Sequence, residues 1–271
     1  MRLVTFNLWS GRQWLPRLSP GRTGSRGRRP SAELDLTGLR AAIRRLDPDV
    51  LALQEVDRQL SRSGHADLTE VAAEAMGARD YRFVPALAGT PGAMWVRPNP
   101  AHRPQGAYGI ALLSRYPVLG WHDIPLPAVP GSFRLISPVA RRPLLVGEEP
   151  RAAMLATVDT PLGPGTVTNT HLTWVPGSGT RQLQQIVLHL ATVVGPVMLM
   201  GDLNMWGRLP ERITGYRPLA RHRTYPTSVP RRQLDHILLR GDFGRVVGTS
   251  AVQVEVSDHR ALVVDLVACR P

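Results

Sequence analysis

Short apolar runs alternate with stretches of helical spacing along almost the whole chain. Arg2–Leu8 (RLVTFNL) is a β-type run. Ala32–Leu46 repeats apolar residues at Leu36, Leu39, Ile43 and Leu46, the spacing of one helix face. Asp47, Pro48 and Asp49 form a turn. Val50–Val56 (VLALQEV) then reads as a buried strand that ends in polar residues. Leu68–Met76 and Thr180–Val194 are predicted helices. Tyr81–Val84, Tyr108–Ser114, Met154–Asp159 and Gly165–Thr170 are predicted strands. Val197–Met200 is a short apolar strand running into Gly201, Asp202, Leu203 and Asn204, and Leu234–Leu239, Val246–Val256 and Ala261–Val267 complete the strands. The Pro-rich stretch Pro125–Pro150 is expected to be an irregular excursion. No internal repeat and no break in composition marks a second domain. The expectation is one domain over 1–271, a layered α/β sandwich.

The polar residues that stand out share one habit: each lies where an apolar strand gives way to a loop. Asn7 ends the first strand, Gln54 and Glu55 end VLALQEV, and Asn169 and His171 end TVTNTH. Asp202 and Asn204 follow VMLM, Asp235 and His236 sit in QLDHILL, and Asp258 and His259 sit in SDHR. Strand ends on a rigid sheet, facing a loop-lined cleft, are a common way to build a site. Glu55, Asp202, Asp258, Asn7 and Asn204 are hard oxygen donors that suit Mg²⁺ or Mn²⁺ rather than a thiolate-loving metal. Histidines beside carboxylates suit proton transfer or the stabilisation of phosphoryl charge. There is no P-loop lysine motif, no GxSxG and no HExxH. The set reads as metal-assisted hydrolysis of a phosphoester. Taken singly, an Asp after a strand is ordinarily a turn former and a single His ordinarily structural; the joint pattern carries the reading.

Composition narrows the class. Over 271 residues the chain is 43% hydrophobic and 20% charged, which excludes wholesale disorder and a fibrous repeat. One cysteine, Cys269, excludes a disulfide framework within the chain. The net charge is +12 and no cation is a lysine, which invites a polyanionic partner such as nucleic acid. A GC-rich coding bias toward Arg, Ala, Gly and Pro explains the same excess equally well. Gly11–Pro30 carries Arg12, Arg17, Arg22, Arg26, Arg28 and Arg29 with no acidic residue, and is expected to be a mobile basic loop near the site entrance. No apolar run reaches the length of a membrane span, and no targeting segment is visible. With Asn7 functional so near the start, a cytoplasmic enzyme is the expectation.

Five segments, TFNLWSG, DPDVLALQEVD, TVTNTHL, MLMGDLNM and the closing pair QLDHILL and VSDHRALVVDL, span nearly the whole chain. In their order they resemble the endonuclease/exonuclease/phosphatase superfamily, the Mg²⁺-dependent phosphohydrolases that include pancreatic-type DNases, apurinic endonucleases, sphingomyelinases and inositol polyphosphate 5-phosphatases. The resemblance implies a DNase I-like four-layer α/β/β/α sandwich with its site in a cleft at one edge of the paired sheets. It implies Glu55 as the main metal-ligating carboxylate, Asn7 as support for the metal or the phosphate, and Asp258 as a second metal contact. It implies Asp202 as the residue that orients or deprotonates the attacking water, Asn204 as the one that positions it, and His259 as the contact to the scissile phosphate or the base. Asp235 would orient His259, and His171 would act on the phosphate or leaving-group side.

Departures bear on the substrate. Apurinic endonucleases often carry an acid where this chain has Trp9, and a Lys where it has Asp57. The 5-phosphatase closing motif fits QLDHILL poorly, although Arg208 lies near Asn204. Secreted DNases usually carry disulfides. The chain thus resembles a broad bacterial branch of the superfamily. Trp9, Trp174 and Trp206 each fall within three residues of a signature residue and are candidate substrate contacts, by stacking on bases or on an apolar group. Arg115 and Arg151 are candidate phosphate contacts. His236 should point away from Asp235's side and be structural, and His65, His102, His122, His189 and His222 have no motif context. Two substrate classes stay open: DNA or RNA, favoured by charge, and a lipid or small-molecule phosphoester, favoured by the tryptophans. A non-catalytic binding module is disfavoured, since Glu55, Asp202 and His259 are all present.

Overall fold

The computed structural model describes residues 1–11, 34–92, 94–99, 106–126, 128, 132–136, 143–175 and 177–268, with only the backbone described at 132–136 and 143–147. The expected basic loop, Gly11 apart, and Cys269 lie outside these residues.

Strand β1 (Arg2–Asn7) leads to helix α1 (Leu36–Leu46), strand β2 (Val50–Arg58) and helix α2 (Leu68–Met76). Strands β3 (Asp80–Gly89), β4 (Trp95–Val96), β5 (Ala107–Ser114), β6 (Val118–Leu126), β7 (Ser132–Ile136), β8 (Pro143–Gly147), β9 (Arg151–Thr160) and β10 (Gly163–His171) follow. Helix α3 (Ser178–Leu190), β11 (Val197–Asp202), helix α4 (Leu209–Thr214), β12 (Arg217–Pro218), β13 (Asp235–Arg240), β14 (Arg245–Val252) and β15 (Ala261–Val267) complete the chain. One sheet has the order β14-β15-β1-β2-β5-β3-β4 and the other β12-β13-β11-β10-β9-β6.

The expected strands and three helices are present, with shifted ends. α1 begins at Leu36 rather than Ala32 because Asp35 caps it, its carboxylate accepting from Gly38 N at 2.7 Å. α2 is capped by Asp67 and ends at Gly77, in the left-handed conformation glycine allows. Pro125–Pro150 is not wholly irregular: it contains the hairpin of β7 and β8, paired from Ser132 with Gly147 to Ile136 with Pro143. β6 was also hidden from pattern reading. It is an edge strand, half exposed, and an edge tolerates Pro125.

Period-two alternation builds the layers. In β1 and β2, Leu3, Val50 and Ala52 face the second sheet, meeting Met154, Val167, Met198, Met200 and Ile237. Val4, Phe6, Leu51 and Leu53 face the other way and pack under α1 and α2. On the second sheet, Leu155, Val197, Leu199 and Leu238 pack under Leu183, Ile186 and Leu190 of α3. The result is the four-layer α/β/β/α sandwich.

The inward faces change character along their length. Leu3 is followed on its face by Thr5 and Asn7, Ala52 by Gln54, Val167 by Asn169 and His171, and Met200 by Asp202. β13 runs the opposite way and begins with Asp235 before Ile237. A dry core therefore grades into a polar end. Between them lies a buried amide layer: Gln54 Nε2 donates to Thr5 Oγ1 (3.1 Å) and Asn169 Oδ1 (2.7 Å). Asn169 Nδ2 donates to the carbonyls of Leu53 (2.9 Å) and Ala111 (2.7 Å), so it stitches the second sheet to two strands of the first.

Gly201 shows how tightly this end is built. Its φ is +141°, and a Cβ there would overlap the Thr170 carbonyl oxygen of the neighbouring strand. Gly201→Ala is therefore expected to cost at least about 3 kcal/mol of stability, from backbone strain plus overpacking. Urea unfolding measures it, and a loss below about 1 kcal/mol would contradict this account of the strand.

Candidate active site

Register sets out the row of functional side chains. β10 and β11 run parallel with His171 beside Asp202, and β11 and β13 run antiparallel with Asp202 beside Asp235. On the facing sheet Asn7 lies beside Gln54. Simple alternation would send Glu55 to the face opposite Gln54. A β-bulge between Leu53 and Val56 prevents this: Glu55 takes a left-handed backbone (φ 54°) and its carboxylate turns back to Asn7. Asn204 (φ 50°) and Trp9 (φ 46°) are also left-handed, so three residues of the cleft hold conformations that side chains disfavour.

Asn7 joins the two sheets. Its Nδ2 donates to Glu55 Oε1 (3.2 Å) and to Asp202 Oδ2 (3.0 Å), while its Oδ1 accepts from Trp9 N (3.0 Å). Asp202 Oδ1 accepts from Asn204 N at 2.9 Å. Asn204 Nδ2 donates to Leu172 O (2.9 Å) and lies 3.3 Å from His171 Nε2. The Nε2 atoms of His171 and His259 stand 3.7 and 3.8 Å from Asp202 Oδ2, so this carboxylate sits between two imidazoles. His259 Nδ1 donates to Asp235 Oδ2 at 2.9 Å. The His259 backbone is fixed through Ser257, whose hydroxyl accepts from His259 N (3.0 Å) and donates to Asn7 O (2.6 Å). The Tyr225 ring packs against His259, 4.9 Å between centroids.

The two histidines are electrostatically opposite. Burial pushes the His171 imidazole well below its ordinary pKa, and the positive charges of Arg151 and His259 add to the push, so it is neutral. Burial works against the His259 imidazolium too, but Asp235, Asp202 and Asp258 outweigh it and hold its pKa up at about 10. Burial pushes the Asp202 carboxyl up to about 7, with His259 opposing and Asp235 reinforcing. Asp258 rises to about 6, chiefly through burial, with His259 opposing and Glu55 reinforcing.

A cation fits this arrangement. Asp202, Asp235 and His259 offer ligand atoms within 4.8 Å of one another. Asp235 Oδ1 is buried with no hydrogen-bond partner among the described residues, and Asp202 is a buried carboxylate that needs positive charge. The carboxylate oxygens of Asp202 and Asp235 suit a hard divalent ion, whereas His259 would join them only as the neutral imidazole, since an imidazolium has no lone pair to give. The cluster differs from the expected set of Asn7, Glu55 and Asp258. Asn7 presents its amino group to the acids because its oxygen is engaged by Trp9, and it thereby links Glu55 to Asp202.

Of the expected substrate contacts, Arg151 lies at the site, its Nη1 3.3 Å from His171 Nδ1 and its Nε buried with no partner among the described residues. Trp174 and Trp206 are 45% and 61% exposed, beside His171 and Asn204 in sequence, and Arg232 lies 4.3 Å from the Trp206 ring centre. Trp9 is half-buried behind Asn7. Arg115 is a correction: it sits beyond the far end of β5, where Ser114 pairs with Val50, and binds Asp47 (2.7 Å), Asp49 (3.6 Å) and the Met76 carbonyl. Those partners consume its charge away from the cleft. His236 donates to or accepts from the protein interior only, with Nε2 2.9 Å from Met205 O, in keeping with a structural role. Sequence reasoning missed Tyr225, Arg232 and the half-buried Arg62, whose guanidinium spans Asp57 (2.6 Å) and Ser10 Oγ (2.9 Å). None stands in a motif; only Ser257, inside VSDHR, carried a signal.

A family model described as "Endonuclease/Exonuclease/phosphatase family" matches residues 4–259. No curated protein sequence matches the chain. Among solved structures, an endonuclease/exonuclease/phosphatase from Beutenbergia cavernae DSM 12333 aligns with a TM-score of 0.66 at 23% identity, covering 98% of this chain and 70% of that one. The human Nocturnin catalytic domain aligns at 0.59 and 17% identity over 98% of this chain and 94% of that one. Sphingomyelinase C from Streptomyces griseocarneus aligns at 0.55 and 14% identity, covering 97% and 98%. These likenesses establish a shared fold. With the family model spanning nearly the whole sequence, the chain belongs to the endonuclease/exonuclease/phosphatase family of phosphoester hydrolases.

Proposed function

We propose that the protein is a phosphodiesterase of nucleic acid. The observation that carries this reading is the pairing of a buried Asp202 between two imidazoles with a rim of exposed indoles, Trp174 and Trp206, the latter backed by Arg232. Exposed aromatic faces with adjacent arginine suit successive bases of a single strand. The chemistry follows from the protonation states. Asp202 is placed to orient a water and take its proton. His259, a cation held by Asp235, stabilises charge on a phosphoryl oxygen. His171, kept neutral, and Asn204 flank the leaving side, and Arg151 adds a guanidinium to the phosphate. Asp202 and Asp235 would hold Mg²⁺ or Mn²⁺, which when bound neutralises phosphoryl charge and acidifies a water.

Asp202→Asn is expected to lower turnover at least about 100-fold. The same change should stabilise the chelator-treated protein at pH 8. The sign follows from the raised pKa: folded Asp202 keeps its proton up to about 7, unfolded Asp only to about 3.8, so its favourable contribution is full below the lower value and lost as pH rises through 7. At pH 8 the ionised acid opposes folding and Asn does not. Initial rates and thermal midpoints of both proteins check this; an active, less stable variant would refute the role.

Purified protein with Mn²⁺ or Mg²⁺ should cleave single-stranded DNA or RNA, with activity falling steeply as salt rises. Trp206→Ala should raise KM for the single strand about fivefold or more, with little change for bis-p-nitrophenyl phosphate, because only the polymer stacks. Cleavage of the small diester alone would overturn the nucleic-acid reading and leave the hydrolytic site intact.

A further inference from the structure

A second cleft lies on the outer face of the β6-β9-β10 sheet, at the opposite end from His171. Helix α3 covers Ile124, Leu126 and Leu155 on this face but ends at Leu190, leaving a corner of the sheet bare. The cavity there is about 520 Å³. Its floor includes His122 and Gly120 of β6, Leu155 and Thr157 of β9, and Thr166 of β10; its wall is the end of α3, with His189, Thr192 and Val193. Period-two alternation puts His122 on the same face as Ile124 and Leu126, hence toward the helix. A β-bulge between Val118 and Gly120 adjoins it, a distortion that commonly re-aims side chains next to sites.

His122 and His189 face each other across this cleft with ring centroids 6.0 Å apart and planes at 42°. Among the described residues no arginine or carboxylate lines the cavity; its other polar side chains are Trp121 and the threonines. We propose that the two imidazoles form a chelating site for a borderline divalent transition metal such as Zn²⁺, which pins the end of α3 to the edge strand. An imidazole nitrogen sits about 2.0–2.1 Å from Zn²⁺, which puts each ring centre roughly 3.2 Å from the ion and two such rings roughly 5 to 6.4 Å apart. The observed separation falls inside that span. His189 lies in the last turn of α3, where the helix dipole favours a cation. Imidazole pairs select Zn²⁺, Ni²⁺ or Cu²⁺ over Mg²⁺, whereas the catalytic cluster is built mainly of hard oxygens, so the two sites take different ions. Threonine hydroxyls at 157, 166 and 192 suit hydrogen bonds to waters that complete the coordination.

The test is calorimetric titration with Zn²⁺ in excess Mg²⁺, on the full chain, His122→Ala and His189→Ala, alongside thermal midpoints. Both histidines are exposed, so both variants should fold and keep their Mg²⁺-dependent activity. The expected result is that the unaltered protein binds one Zn²⁺ equivalent more than either variant, and that Zn²⁺ raises its midpoint by more. Equal stoichiometry in all three would overturn the site, as would loss in one variant alone, which would indicate a single exposed histidine and no chelate.

Discussion

Acidic side chains from two facing sheets meet in this protein away from water, and one amide nitrogen holds them together. Asn7 Nδ2 reaches Glu55 on the first sheet and Asp202 on the second at 3.2 and 3.0 Å. Burial makes the Asp202 carboxylate costly to ionise. The chain offsets the cost with the Asn7 donor, with an imidazolium at His259 and with room for a divalent ion beside Asp202 and Asp235. Everything else at this end of the sandwich serves that meeting. Ser257 ties the His259 turn to the Asn7 carbonyl, and Trp9 N holds the Asn7 oxygen so that its nitrogen faces the acids.

The meeting is possible only because the sheets are held in fixed register and spacing. A slip of one residue in β1 would turn Asn7 out under α1 and bring Phe6 inward. The amide layer of Gln54 and Asn169 guards against this one step below the site. Asn169 reaches carbonyls on both β2 and β5, which fixes the second sheet relative to two neighbouring strands at once. A buried amide with partners missing costs about 1–3 kcal/mol per group. The layer therefore penalises wrong alignments as well as holding the right one.

Much of this was legible in the sequence. The polar strand ends at Asn7, His171, Asp202 and Asp235 follow from alternation, and the helices from spacing. What was not legible depends on departures from those periods. Glu55 enters the cleft through a bulge, which alternation cannot foresee. β6 and the β7-β8 hairpin lie in Pro-rich sequence, where an edge position tolerates what a central strand rejects. Arg115 follows a strand and Arg151 opens one, yet the first lies at the far end of its sheet and the second at the cleft. Strand direction decides between them, and no local pattern encodes it. Tyr225 and Arg232 reach the site from a loop, and only the folded chain brings them there.

The arginine excess looks different once partners are known. Arg2 pairs with Asp265, Arg62 with Asp57, Arg82 with Asp123, Arg115 with Asp47 and Asp49, and Arg221 with Glu211. Arg240 spends its guanidinium on carbonyls at the end of α3 and just beyond it, and Arg260 on the Thr227 carbonyl. These cations do structural work, and their charge is answered on the spot. Each ion pair uses up an acid as well as an arginine, so the net charge of +12 is untouched by them, but it does not say where on the surface the excess lies. The case for nucleic acid rests instead on position. Arg151 is beside His171 with a buried nitrogen unpartnered among the described residues, and Arg232 lies against an exposed indole. A guanidinium held against buried groups is already partly desolvated, so a phosphate arriving there meets a stronger field than on the open surface. Arg151 therefore bears more on the substrate than the arginines paired elsewhere on the surface.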